Sequence, residues 1–458
     1  MQKRWNRILW CGCLLLLLAV VGILTKYTHR IIVLGVPVIS QQQLEEITSD
    51  KIEMTMVKNM QELLSYDNAK IPYDQYSNTF YLSQPIKSEN YLGIIKPLEE
   101  NCTLYFIEET VSDIVESMET GISITLLCVV DNQYTKANLV ITGLPVMEIK
   151  DNTMILYTPD DVEVDNYTIK ESMCTIDAKI SGKYTIKLRN EAEDDKKELS
   201  LIGMTKGDEW KLVPIEDENL YLREKITAYI WNLINDDNSG NNEFKLDVEM
   251  EYVEVIYNNQ YLGLMLLMSP QEENEMNLLE DDSLYECSDE APWEENIFTV
   301  ENIDVENFID YHLWAQCTYS VKSMNINRYV IESQEKYYKV PRSYMCSLGE
   351  LPKRYAYIVD DLSGELFSRM LEDEDLNNIF AEEHGEIDGK IAEMWSVLRS
   401  SCLTTEKIVD YAEGEYLVLE KSGIYSRNNN EQPFSELENL TLFIENRLDA
   451  LDSYYANY

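Results

Sequence analysis

Residues 235–243, NDDNSGNNE, gather Asn, Asp and Gly at the density of a calcium-binding loop. An EF-hand loop needs Gly at its sixth position and a bidentate Glu at its twelfth. With Gly240 sixth, Asn235 stands first and Leu246 twelfth, so the calcium site fails and the stretch reads as a polar turn. The three histidines, His29, His312 and His384, form no pair at metal-ligand spacing, which leaves His-based hydrolysis without support. Among the nine cysteines there is no Cys-x-x-Cys, so neither a zinc site nor a thioredoxin-type redox pair is signalled. Cys11 and Cys13 lie in the apolar N-terminal segment, and the seven that remain are an odd number, which argues against a complete disulfide framework. With 83 acidic against 38 basic residues the formal charge is −45. Such a chain repels phosphate backbones, so nucleic acid is excluded as a partner.

The elements that would position any site centre on residues 251–270, EYVEVIYNNQYLGLMLLMSP. β-Branched and aromatic residues alternate up to Tyr257, Asn258-Asn259 supply a turn that tolerates positive φ, and a second apolar run follows from Tyr261. This is a buried β-hairpin in the middle of a chain of 458 residues, long enough for two or three domains. Ahead of it, residues 8–25 run 18 positions without a charge, enough to cross a bilayer as a helix. Lys3, Arg4 and Arg7 precede that stretch, so a single-pass anchor is expected with the bulk of the chain outside the cytoplasm. A short helix is expected within 41–64 and strand-like runs separated by Pro, Gly and Asn over 71–146, with one helix near 110–118. Beyond the hairpin the spacing predicts an acidic loop over 271–295, a helix over 305–317 and strands over 325–331 and 337–340. Helices over 365–380, 388–400, 404–421 and 434–455 follow.

The hairpin resembles that of the spore-coat CotH kinase family, in which a strand, an Asn-Gly turn, Tyr-x-Gly-x-Tyr and a closing glutamate occur in this order. Here Asn259-Gln260 replaces the turn, Tyr261-Leu262-Gly263-Leu264-Met265 keeps the frame, and Ser269 stands where the glutamate would be. The resemblance extends from Leu144-Pro145-Val146 to about Tyr455 and includes Trp395-Ser396-Val397-Leu398-Arg399 and Phe443-Ile444-Glu445-Asn446-Arg447-Leu448. It implies that 144–458 form a protein-kinase-like domain with a β-rich N-lobe and a helical C-lobe. With the apolar segment and the strand-like runs before it, an α+β architecture in three parts is expected: 1–30 an N-terminal transmembrane helix, 31–143 a stalk helix with a small β-rich domain, and 144–458 the kinase-like domain.

Phosphoryl transfer needs cations on the phosphates, carboxylates for divalent metals and a group that orients the acceptor. In the family these are a basic strand, the hairpin glutamate, an Asn-x-Asp and a Trp-Asp-x-Asp. By the resemblance, Ser320 and Lys322 occupy the Asn-x-Asp positions, and the Trp-Asp-x-Asp falls on 341–349, where Ser343 and Met345 stand instead of acids. No acid occurs over 312–330 or 337–349, so the loss does not depend on register. Lys187 matches a family lysine and Arg223 a family arginine, the two nucleotide-binding candidates; read alone they are a strand lysine and a helix-start arginine. The resemblance with these losses implies a pseudokinase that serves as a binding or scaffolding module at the cell surface or spore envelope, with a protein partner, no cofactor and no metal. Two alternatives stand beside it. One is an active kinase transferring the ATP γ-phosphate to Ser or Thr with Mg2+ or Mn2+, its ligands drawn from Glu272, Glu273, Glu335 or Asp360-Asp361. The other is a structural envelope protein.

Overall fold

The computed structural model describes residues 32–56, 60–66, 69–84, 94–107, 117, 120–150, 153–158, 167–168, 172–178, 184–190, 198–215, 219–238, 247–269, 276, 278–287, 298–318, 328–341, 344, 348, 379, 384–428 and 433–458. These divide into two compact units, one comprising the described residues up to Thr142 with Asn259–Tyr261, the other the rest from Gly143 onward.

In the first unit an eight-stranded sheet runs in the order Ile32–Val33, Val36–Ile39, Cys102–Ile107, Ile124–Val130, Gln133–Thr142, Thr79–Ser83, Tyr73–Asp74, with Ile52–Glu53 also paired to Gln133–Thr142. Alternation along Ile124–Val130 sorts its residues between two faces: Leu126 and Cys128 join one core with Phe80, Phe106 and Leu139, while Leu127 and Val129 face Leu44 of helix α1 (Gln41–Thr48). The helix expected within 41–64 stops at Thr48, because Ile52–Glu53 is drawn into parallel pairing with Gln133 and Tyr134. Helix α1 begins with a capping box in which Ser40 and Gln43 satisfy each other's backbone N–H groups. The expected helix near 110–118 lies almost wholly outside the described residues.

The second unit is built on another eight-stranded sheet, in the order Tyr167–Thr168, Thr153–Tyr157, Val146–Lys150, Met250–Tyr257, Gln260–Met268, Glu209–Pro214, Tyr184–Asn190, Ser172–Ala178. The hairpin Met250–Met268 is at its centre. Asn258 and Asn259 take φ of +48° and +61°, the left-handed pair a two-residue turn requires. Both faces of the hairpin are apolar and both are covered. Val253, Val255, Met265 and Leu267 pack with Trp210, Leu201 and Met204 on one side; Met250, Tyr252, Leu264, Leu266 and Met268 meet the helices on the other. Those helices are α2 (Arg223–Asn238), α3 (Val305–Thr318), α4 (His384–Ser400), α5 (Thr405–Lys421), α6 (Ile424–Arg427) and α7 (Pro433–Tyr455). Thr404 caps α5 by accepting from the Lys407 N–H, and Ile408, Ala412, Tyr416 and Leu419, three and four apart, form its buried stripe. A three-stranded sheet, Ser283–Cys287, Arg328–Ser333 and Lys336–Pro341, completes the unit. Its first strand lies inside the stretch expected as an acidic loop, held there because Leu284 and Tyr285 pack on the helical core.

The kinase-like α+β architecture is corrected. The fold is mixed α/β: Val146–Lys150 pairs in parallel with the antiparallel hairpin through Val146↔Glu254 and Met147↔Val255, and an apolar run on both strand faces calls for two cores rather than one. The membrane anchor, and with it the single-pass extracytoplasmic location, is corrected as well. Among the described residues no helix is long and apolar enough to cross a membrane, and residues 8–25 lie outside them. The longest of the described helices, α7, shows the physical reason: Glu436, Glu438, Glu445, Asp449 and Asp452 interrupt its apolar residues, and Leu437, Leu440, Phe443, Ile444, Leu448 and Leu451 form a stripe buried in the core.

Candidate functional site

Helix α2 opens on three consecutive charged residues, Arg223, Glu224 and Lys225, all of them buried. Side chains of this kind leave water only when they are paired. The Lys225 ammonium donates to Glu251 Oε2 at 3.1 Å and to Glu415 Oε2 at 3.0 Å. It lies 4.8 Å from the centroid of the Tyr252 ring, whose negative face favours a cation. Tyr252 is fixed in turn, its phenol donating to the Tyr221 carbonyl at 2.6 Å.

Two helices make this arrangement possible through matched spacing. On α2 Lys225 and Tyr229 are four apart, as are Tyr411 and Glu415 on α5, so each pair shares a face. Lys225 meets Glu415, and Tyr229 stacks on Tyr411 with centroids 3.8 Å apart, which sets the two helices antiparallel here. Burial, followed by the charges of Glu415 and Glu251, pushes the Tyr411 phenol far above its ordinary range, so it stays protonated beside the carboxylates.

The triad opens into a cavity of about 420 Å3. The Lys225 side chain is 8% exposed and Glu415 15%, whereas Glu251 is 43% exposed. Leu144, Pro145, Ile202 and Val418 give the cavity an apolar wall. Gly203, at φ +77°, leaves open space where a Cβ would stand. Thr158 also lines the cavity; it is 95% buried, and its Oγ1 has no hydrogen-bond partner. A buried hydroxyl without a partner is costly, and native structures leave few. A second cavity of about 590 Å3 is lined by α4 and α7, and of its two side-chain carboxylates, Glu393 and Asp452, the latter is taken. Asp452 accepts from Trp395 Nε1 at 2.8 Å and from Arg399 Nη2 at 3.0 Å.

The residues singled out in the sequence are not gathered here. Ser269 follows the hairpin and closes it on itself, its N–H donating to the Glu249 carbonyl at 2.9 Å and its Oγ accepting from the Glu249 N–H at 3.1 Å. Arg223 shares the first turn of α2 with Lys225, yet its Nε donates to the Leu348 carbonyl at 3.4 Å. Lys187 sits in the strand Tyr184–Asn190, in register with Thr175 and Glu209. Ser320, Lys322, Ser343 and Met345 lie outside the described residues, as do Glu272, Glu273 and Asp360-Asp361. Glu335 is an exposed turn residue at φ +67°. Among the described residues no three His, Cys, Asp or Glu side chains are grouped to hold a metal. Sequence reasoning missed Lys225, Glu251, Glu415 and Thr158; the legible signal was the pair of four-residue spacings, a cation with a tyrosine on one helix and an acid with a tyrosine on the other. No protein-family model matches this chain, and no curated protein matches it.

Proposed function

We propose that this chain is a non-catalytic binding or scaffolding module whose second unit receives its ligand at the Lys225 cavity. One observation carries the reading: the buried ammonium that faces the cavity is already held between two carboxylates. Phosphoryl transfer asks for cationic groups turned toward phosphate oxygens. Here the triad has one net negative charge and stands in a chain of charge −45, a setting that repels a nucleotide. Other cations of the unit support the same reading by their commitments. Arg427 pairs with Glu254, Arg399 with Asp452, Lys211 donates to the Tyr329 phenol at 2.8 Å, and the Lys339 ammonium lies 4.5 Å from the Phe308 ring centroid.

The test is thermal unfolding of the 458-residue chain with and without ATP plus magnesium or manganese. A ligand at ~100 times its dissociation constant adds roughly 2.7 kcal/mol to native stability. The binding-module reading expects no shift of the midpoint at millimolar nucleotide with either metal. A metal-dependent rise would overturn it.

A further inference from the structure

We infer that the Lys225 cavity binds a small organic monocation, an alkylammonium; this rests on the binding-module reading above. Each glutamate gives one oxygen, Oε2, to Lys225. A carboxylate accepts at both oxygens; Glu415 also receives the Tyr411 phenol, so the acceptor capacity that faces a ligand lies chiefly on the more exposed Glu251. The triad keeps one negative charge, which one ligand cation balances and an anion would double. A hard divalent ion is a poor match, because calcium takes six to eight oxygens and two carboxylates line this cavity. The wall of Leu144, Pro145, Ile202 and Val418 suits an alkyl chain. A volume of about 420 Å3 lies within the range of small-ligand sites.

The same chemistry could come from a free alkylamine or from a lysine side chain presented by another protein, and the probes separate the two. Aminopentanol, pentylamine, hydroxypentanoate and N-acetyl-lysine methylamide are each titrated calorimetrically into the 458-residue chain. Saturable binding of aminopentanol and of pentylamine is expected, with none for hydroxypentanoate. Glu251→Gln should weaken aminopentanol roughly tenfold, by removing one of the two charges facing it. The variant retains the fold because Lys225 keeps Glu415 and the Glu251 side chain is 43% exposed. Binding of the lysine amide as tight as that of aminopentanol identifies a protein side chain as the source; weaker binding identifies the free amine. Absence of amine binding at millimolar concentration, equal binding of hydroxypentanoate, or an unchanged Glu251→Gln affinity would overturn the inference. Failure here with no nucleotide shift leaves the binding module with another ligand, whereas a nucleotide shift removes the module itself.

Discussion

Two ion clusters tie the central hairpin to the helices, and they are built for different ends. Glu254 is fully buried and pairs with Arg427 of α6, whose Nη1 also donates to the Ser422 carbonyl at 2.5 Å. Three residues earlier on the same strand, Glu251 keeps nearly half its side chain in water and shares Lys225 with Glu415 at the wall of a cavity. The Glu254 pair is closed at its carboxylate, which has no exposed surface, and its work is to lock one packing of hairpin against helix. The open triad contributes less to holding the fold, because water still screens it, and for the same reason it can meet a ligand. Burial of charge thus serves structure in one place and recognition in the other.

The contrast is broken most severely at the sealed pair. Arg427→Met leaves the Glu254 carboxylate without its cation, and breaking a buried pair this way destabilises by about 3–5 kcal/mol. Urea denaturation should show that loss, and a value near zero would mean the pair is not sealed in solution. Replacing both partners, Glu254→Leu with Arg427→Leu, should recover most of it. Lys225→Met sharpens the comparison from the open side: the expected cost is smaller, roughly 1–3 kcal/mol, since Glu251 regains water. A larger loss than that of Arg427→Met would reverse the assignment of roles. Thr158→Val should be neutral or stabilising by up to ~1 kcal/mol in the free protein, because it removes a hydroxyl that has no partner. A destabilisation on that scale would show the hydroxyl to be satisfied.

The smallest effect concerns pH. Burial first, and the charge of Glu99 second, push the Cys102 thiol in the first unit up to about 12 from an ordinary 9.0. Burial likewise pushes Cys317 in the second unit up to about 12. A thiol whose folded value is raised stabilises the fold fully below the unfolded value, and that contribution is lost as pH climbs toward the folded one. Unfolding midpoints should therefore fall between about pH 9 and pH 12 and be flat just below that window as far as these thiols are concerned. Cys102→Ala and Cys317→Ala should each reduce the alkaline slope.

Much of this was legible where one physical signal dominated. The hairpin followed from alternation and from Asn258-Asn259, and α3, α4, α5 and α7 from apolar residues three and four apart, within a few residues at their ends. What sequence could not supply was pairing at a distance. The parallel union of Val146–Lys150 with Met250–Tyr257 and the recruitment of Ser283–Cys287 to a sheet depend on neighbours remote in the chain. The site was hidden for a related reason. By resemblance Ser269 stands at a carboxylate position and Arg223 at that of a family arginine, and both bond backbone groups. The residues that meet at the cavity come from α2, the hairpin and α5, and each alone reads as an ordinary surface charge on an acidic protein.

The most direct test of the account is one titration read on two proteins: thermal unfolding of the wild-type chain and of Glu251→Gln against rising aminopentanol, with MgATP as the contrasting ligand. The account predicts a midpoint that climbs with the amine in the wild type, climbs far less in the variant, and does not move with MgATP in either. A chain stabilised by MgATP and indifferent to the amine would contradict it.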